Sequence, residues 1–259
     1  MPFCSYAFYR RHDDWDGQSH RYMVITPDRA TSDQFYRGIQ EQVVFRQGNV
    51  EVRPRRLSAN MWTWDATADD DLRELVDRLN SGGPSDIVLG NDHFKGLRGK
   101  VYLQQCGNYG SVQFPYLQQY DLADNISGAT FFIRNKYAPK EFWHMDGGRV
   151  VISTKRRSKF RIETPNKEHI KDLVMVDYDQ VTLSHVRGGN QKPISVDQDG
   201  YLTTGRGSKR AFEFGCFKGA FETVHRKLDE AKDEKAYYPV LSWGESLPEE
   251  RTGDIWELC

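Results

Sequence analysis

LSHVRGGNQKPISVDQDGYLTTGRGSKRAFEF, residues 183–214, reads as a leading strand, a loop, a strand, an Asp-Gly turn, a strand and a closing phenylalanine. Short runs of β-branched and aromatic residues alternate with Gly-Gly, Asp-Gly and Gly-Arg-Gly breaks. That rhythm belongs to hairpins rather than helices. The stretch has a partner upstream, because GGRVVISTKRRSKFRI (147–162) lies beside DGYLTTGRGSKRAFEF (199–214) without a gap.

Working outward from this pair, three units recur between about residues 86 and 215. The first holds DIVLG (86–90), KVYLQQ (100–105) and SVQF (111–114). The second holds TFFIR (130–134), EFWHMDGGRVVIS (141–153) and SKFRIE (158–163). The third holds QVTLSH (180–185), KPISVDQDGYLTTG (192–205) and RAFEFG (210–215). Each has a leading strand, a glycine hairpin and a closing strand with a phenylalanine: Phe114, Phe160 or Phe212. A four-strand unit cannot bury its own apolar face, so such units share one core. Three of them can close a sheet and remove its edges.

The strand pattern resembles a β-trefoil, and the third unit in particular resembles fascin-like repeats. The resemblance covers about half of the chain and rests on turns and β-formers. It implies a binding module rather than an enzyme, with cytoskeletal or other protein contacts, or carbohydrate, as the partner. The ricin-type sugar-binding repeat carries Gln-x-Trp near the end of each unit. No unit here has it.

The expected fold class is therefore mainly β. A β-trefoil-like module of three repeats spans 85–217, preceded by a small α+β region over 1–84. A helix and an aromatic tail over 218–259 pack back on the body. In the first region HRYMVIT (20–26) reads as a strand stopped by Pro27 and Asp28. Residues 31–40 read as a short helix capped by Thr31 or Ser32. Residues 42–46 and 49–53 read as a hairpin. DDDLRELVDRLN (69–80) reads as a helix, with Leu72, Leu75, Val76 and Leu79 on one face and acids at its start. In the tail, 218–235 reads as a helix with Phe221, Val224 and Leu228 on one side.

The 259 residues carry 36 basic and 37 acidic side chains, a net charge of −1, which provides no global field for nucleic acid or an anionic membrane. No run of about 18 apolar residues is present, so no membrane span is expected. The cysteines, Cys4, Cys106, Cys216 and Cys259, lie far apart with no CxxC pair. A disulfide scaffold or cysteine zinc site does not follow from them, and the reading is a reduced, cytoplasmic protein. No cofactor is implied.

Candidate ligand contacts gather in the second and third units. Lys155, Arg156, Arg157, Lys159 and Arg161 form one basic loop, and Arg206, Lys209 and Arg210 another at the equivalent place. Converging Arg and Lys suit phosphates, sulfates or an acidic protein surface, with a glycan as the alternative ligand. Nucleic acid is the less favoured partner. Arg161 follows strand alternation and is expected to face solvent. Trp143, His144 and Asp146 precede the Gly147-Gly148 turn, where an aromatic beside polar groups can stack a sugar.

The GxSxG elbow, the P-loop and the dinucleotide fingerprint are all missing. The enzyme alternative is a hydrolase-like site at the seam of the N-terminal region and the barrel, using His12, His20 or His93 beside carboxylates. A thiol nucleophile at Cys106 is a weaker form of it. A purely structural or cytoskeleton-interacting protein is the third reading. His12, Asp13, Asp14, Asp16 and His20 match no metal-loop spacing, and Asp69, Asp70 and Asp71 are explained by helix capping.

Overall fold

The computed structural model describes residues 2–11, 20–42, 54–66, 94, 96–97, 99–106, 123–165, 167, 170, 172–205, 210–223, 238–242 and 254–259. It is mainly β and falls into two compact units: 1–124 with 172–176, and 125–171 with 177–259.

The first unit contains β1 (Phe3–Arg11), β2 (His20–Thr26), α1 (Arg29–Gln42), β3 (Arg55–Ser58), β4 (Met61–Ala66) and β5 (Tyr102–Gln105). The strands form one sheet in the order β3-β4-β1-β2-β5, antiparallel except for β1 against β4. Pro27 and Asp28 end β2 as expected. The helix begins a residue pair earlier than Thr31. Its cap is Asp28, whose Oδ1 accepts both the Thr31 N–H (2.8 Å) and the Thr31 hydroxyl (2.9 Å). Helix α1 is buried on nearly every side. Phe35 and Tyr36 meet the Trp62 ring of the sheet at 5.9 and 5.0 Å. Elsewhere on the helix the Gln40 side-chain amide exchanges hydrogen bonds with 172–176, donating to Asp172 O and accepting from Val174 N.

KVYLQQ, expected in the first repeat, lies here instead: β5 is the antiparallel neighbour of β2, from Tyr22↔Gln105 to Ile25↔Tyr102. The rest of that repeat, 86–90 and 111–114, lies outside the described residues, as does the helix of 69–80; of the expected hairpin of 42–53, Gln42 instead ends α1 and residues 43–53 lie outside the described residues.

The second unit runs β6 (Thr130–Phe131), β7 (Ile133–Asn135), β8 (Phe142–Asp146), β9 (Arg149–Ser153), β10 (Lys159–Glu163), β11 (Gln180–Arg187) and β12 (Asn190–Pro193). It continues with β13 (Ser195–Val196), β14 (Leu202–Thr203), β15 (Ala211–Glu213), a 3-10 turn (Phe214–Phe217), β16 (Lys218–Thr223), β17 (Tyr238–Ser242) and β18 (Asp254–Leu258). One sheet has the order β12-β11-β10-β6, with β15 also on β11. The other has the order β13-β14-β9-β17-β16-β18-β7-β8. All its pairings are antiparallel. The C-terminus is tied in by reciprocal hydrogen bonds between Cys259 and Phe132 at 2.9 and 2.8 Å.

The expected helix over 218–235 is not what forms at its start, since Lys218–Thr223 is strand β16. Gly219 has φ 113°, outside the helical region, at a bulge against β18. Pairing with β17 and β18 satisfies the backbone on both sides and delivers Phe221 into the core. Residues 224–237 lie outside the described residues. Trp143 anchors that core at 0% exposure, with Phe160, Phe217, Phe221 and Trp256 rings 5.3 to 5.9 Å away. Of the tail's aromatics, Trp256 is buried and its indole donates to Phe221 O at 3.1 Å.

Candidate functional site: a cationic depression between two glycine hairpins

Strands β8 and β9 are joined by Gly147-Gly148, with φ 52° and 87°. Strands β11 and β12 are joined by Gly188-Gly189, with φ 56° and 83°. Two successive positive φ angles make a type I′ turn, whose twist matches that of the flanking strands. These tight hairpins flank an open depression of about 630 Å³. A contiguous lobe of about 580 Å³ shares Met145, Gly147, His185, Arg187 and Gly188 with it. Both volumes lie within the range of small-ligand pockets.

The basic loop that borders the depression is held by its serines. Ser153 Oγ accepts the backbone N–H of Lys155 (3.2 Å) and Arg156 (3.0 Å). Ser158 Oγ accepts the Met145 N–H at 2.9 Å and lies 3.1 Å from His144 Nδ1. Ser158 N also donates to Trp143 O, so the loop is fastened to β8 at both backbone and side chain. Arg157 lies over the Phe132 ring at 4.2 Å, and Lys159 is 5.7 Å from the same ring. Both contacts leave the N–H donors of these cations available.

Of the expected site residues, His144, Asp146, Arg157 and Lys159 line the depression, together with Arg156. Lys155 is exposed on the loop but does not line it. Arg206 and Lys209 lie outside the described residues, so the convergence of two basic loops is a matter for experiment. Trp143 is buried in the aromatic core and presents no face for a sugar to stack on. Arg161 is held by Glu163 at 3.0 Å.

Sequence reasoning missed the wall contributed by β11 and β12. His185 and Arg187 alternate along β11, and His185 is paired in register with Lys192 of β12. The signal was the His-x-Arg-Gly-Gly-Asn-x-Lys run, which a tight hairpin folds into one cluster.

The electrostatics are lopsided. Elsewhere on this unit Arg134, Arg149, Arg161, Lys167 and Lys218 each pair with a carboxylate. Among the described residues, no carboxylate pairs with Arg156, Arg157, Lys159, Arg187 or Lys192, all of which are exposed. Asp146 is the acid that lines the depression. Both histidines titrate below their usual range. For His144 the cause is burial, opposed by Asp146 and reinforced by Arg156. For His185 it is burial, reinforced by Arg187, Lys192 and His144.

Among the described residues, no group of three His, Cys, Asp or Glu side chains could hold a metal ion, and no helix is long and apolar enough to cross a membrane. His12 and His93 lie outside the described residues. Cys106 is half-buried, with its thiol directed at Gln104 O (3.5 Å). No protein-family model matches this chain, and no curated protein is similar to it in sequence.

Proposed function

We propose that the second unit is a non-enzymatic binding module of β-trefoil type that captures an anionic ligand in the depression between its glycine hairpins. The trefoil repeats are 130–163, 180–213 and 218–258. Three facts of pairing support this phase over one starting at residue 86. The leading and closing strands of each repeat pair with each other, as β6 with β10, β11 with β15, and β16 with β18. Closing strands pair with the next leading strand, as β10 with β11 and β18 with β7. The strands between them, β14, β9 and β17, are consecutive neighbours in the larger sheet. Fascin-like architecture is compatible with this phase, and the function is argued from the site rather than the fold.

The observation that carries the binding reading is the set of exposed cations around one open cleft that have no carboxylate partner among the described residues. Clustered like charges repel, and an oxyanion relieves that repulsion while accepting charge-assisted hydrogen bonds. The burial of Trp143 weighs against a neutral glycan and in favour of phosphate or sulfate groups. Titration of the intact protein with inorganic phosphate, followed by amide NMR, tests this. Shifts concentrated in 144–159 and 185–192 are expected. Shifts elsewhere only, or none, would overturn the assignment.

A further inference from the structure

Resting on that reading of the site, the form of the depression says what kind of anion it takes. It has two lobes with different chemistry. One is bordered by Arg156, Arg157 and Lys159, with Asp146 as its acid. The other is bordered by Lys192, Asn190 and Thr204, and among the described residues no carboxylate lines it. Between them lies a wall common to both, which includes His185 and Arg187. Met145, Gly147, His185, Arg187 and Gly188 line both lobes, so the end of β11 and its glycine turn are their common border.

A single small oxyanion can neutralise the cations of one lobe only. Two separate anions would each lose their translational freedom on binding and would repel each other across Arg187. A ligand with two linked oxyanions loses that freedom once, and its second group then binds at a high effective concentration. Arg187 suits the central position, because its five donors form a fork that can serve both groups. His185 beside it adds a donor whose charge the ligand itself can induce, because a nearby anion favours the protonated ring. The neutral donors of the second lobe, the Asn190 amide and the Thr204 hydroxyl, suit an ester or a hydroxyl-bearing linker more than a bare ion.

We infer that one ligand carrying linked phosphate or sulfate groups occupies both lobes together, bridged over Arg187. The groups are joined covalently, as in a condensed phosphate, a polyphosphorylated polyol or a sulfated oligosaccharide.

Isothermal titration of the intact protein at constant ionic strength provides the test, with inorganic phosphate, tripolyphosphate and a sulfated tetrasaccharide as probes. Tripolyphosphate is expected to bind at least about tenfold more tightly than phosphate, beyond the gain from its extra charge at matched salt. Lys159→Ala and Lys192→Ala alter exposed side chains on opposite lobes. Each is expected to weaken tripolyphosphate about tenfold, with melting temperature unchanged. A tetrasaccharide stronger than tripolyphosphate at equal charge would identify a sulfated glycan as the source, and the reverse would identify a phosphate compound. Equal affinity of phosphate and tripolyphosphate, or loss from one lysine variant only, would overturn bridging while leaving a single-anion site intact. No binding of any probe would remove the site altogether.

Discussion

Two sets of arginines, one in each unit, are partnered in opposite ways. In the first, Arg37 and Arg56 are buried, at 0% and 1% side-chain exposure, and each is matched by acids: Arg37 by Glu41 at 2.9 Å, Arg56 by Asp33 and Asp124. The Arg56 guanidinium also lies 5.2 Å from the Tyr36 ring. Burial opposes its charge, but Asp33 and Asp124 outweigh burial and hold it above the usual arginine range. Burial of Tyr36, against the influence of Arg56, drives its phenol far above the usual range. In the second unit Arg156, Arg157 and Arg187 stand exposed around a cleft, with no carboxylate beside them among the described residues. A desolvated charge must have a partner inside the chain, whereas an exposed one can leave its partner to a ligand. Partnering, rather than residue type, separates the buried arginines from those proposed to meet a ligand.

Breaking the first member of the comparison should produce the largest effect. Arg56→Ala removes a buried cation from Asp33 and Asp124, and is expected to cost about 3–5 kcal/mol. Urea unfolding would show this as a lower midpoint for the earliest transition, with tripolyphosphate binding unaltered. The matched change in the second unit, Arg157→Ala with Arg187→Ala, should leave the unfolding curve within about 0.5 kcal/mol while weakening anion binding. If the two variants exchanged these outcomes, the distinction between structural and ligand-binding arginines would collapse.

Trp143 sharpens the comparison from inside the second unit, because it was a candidate ligand contact that the fold uses as core. Trp143→Ala is expected to cost about 3–5 kcal/mol by opening a cavity among four aromatic rings. Its indole N–H has no partner among the described residues, so Trp143→Phe forfeits no hydrogen bond and should cost less than about 1.5 kcal/mol. A quenched tryptophan signal on adding sulfated tetrasaccharide, absent in Trp143→Phe, would contradict its burial.

The smallest effect should be that of pH. His144 and His185 have folded-state values below the ordinary 6.5. The unfolded chain therefore binds more protons than the folded one in the window just below 6.5. Stability contributed by the neutral rings is full above that value and declines as pH falls through the window. Anion binding has the opposite sign, since protonated rings add positive charge to the cleft. Melting curves with and without tripolyphosphate, from about pH 7.5 to 5.5, should show the apo protein losing stability and the bound protein losing less. His144→Gln with His185→Gln should flatten both trends. A difference between bound and apo melting temperature that shrinks toward acid pH would refute the linkage.

Much of the second unit was legible in sequence because its signals are local. A glycine pair between two strand-like runs favours an I′ turn, so the β8–β9 hairpin could be read directly, whereas the equivalent pair between β11 and β12 read only as a loop. The strand at 20–26 was legible for the same reason, being stopped by Pro27 and Asp28. The assignment of KVYLQQ was not, since a four-residue strand has no feature that names its neighbour, and its pairing with β2 is a contact across 80 residues of chain. The 218–235 region misled because charges at helical spacing describe a solvated surface of either kind of element. Phe221 and Gly219 decide the matter only once β18 is in place to pair with β16.

By itself, then, the sequence determined a β-rich chain with glycine hairpins, a basic loop and no familiar catalytic signature. Those properties belong to single residues and near neighbours. Only the tertiary structure decided that Trp143 fills a core while Arg187 and Lys192 complete a cleft. Burial and charge pairing are set by residues distant in the chain, and no local pattern carries that information.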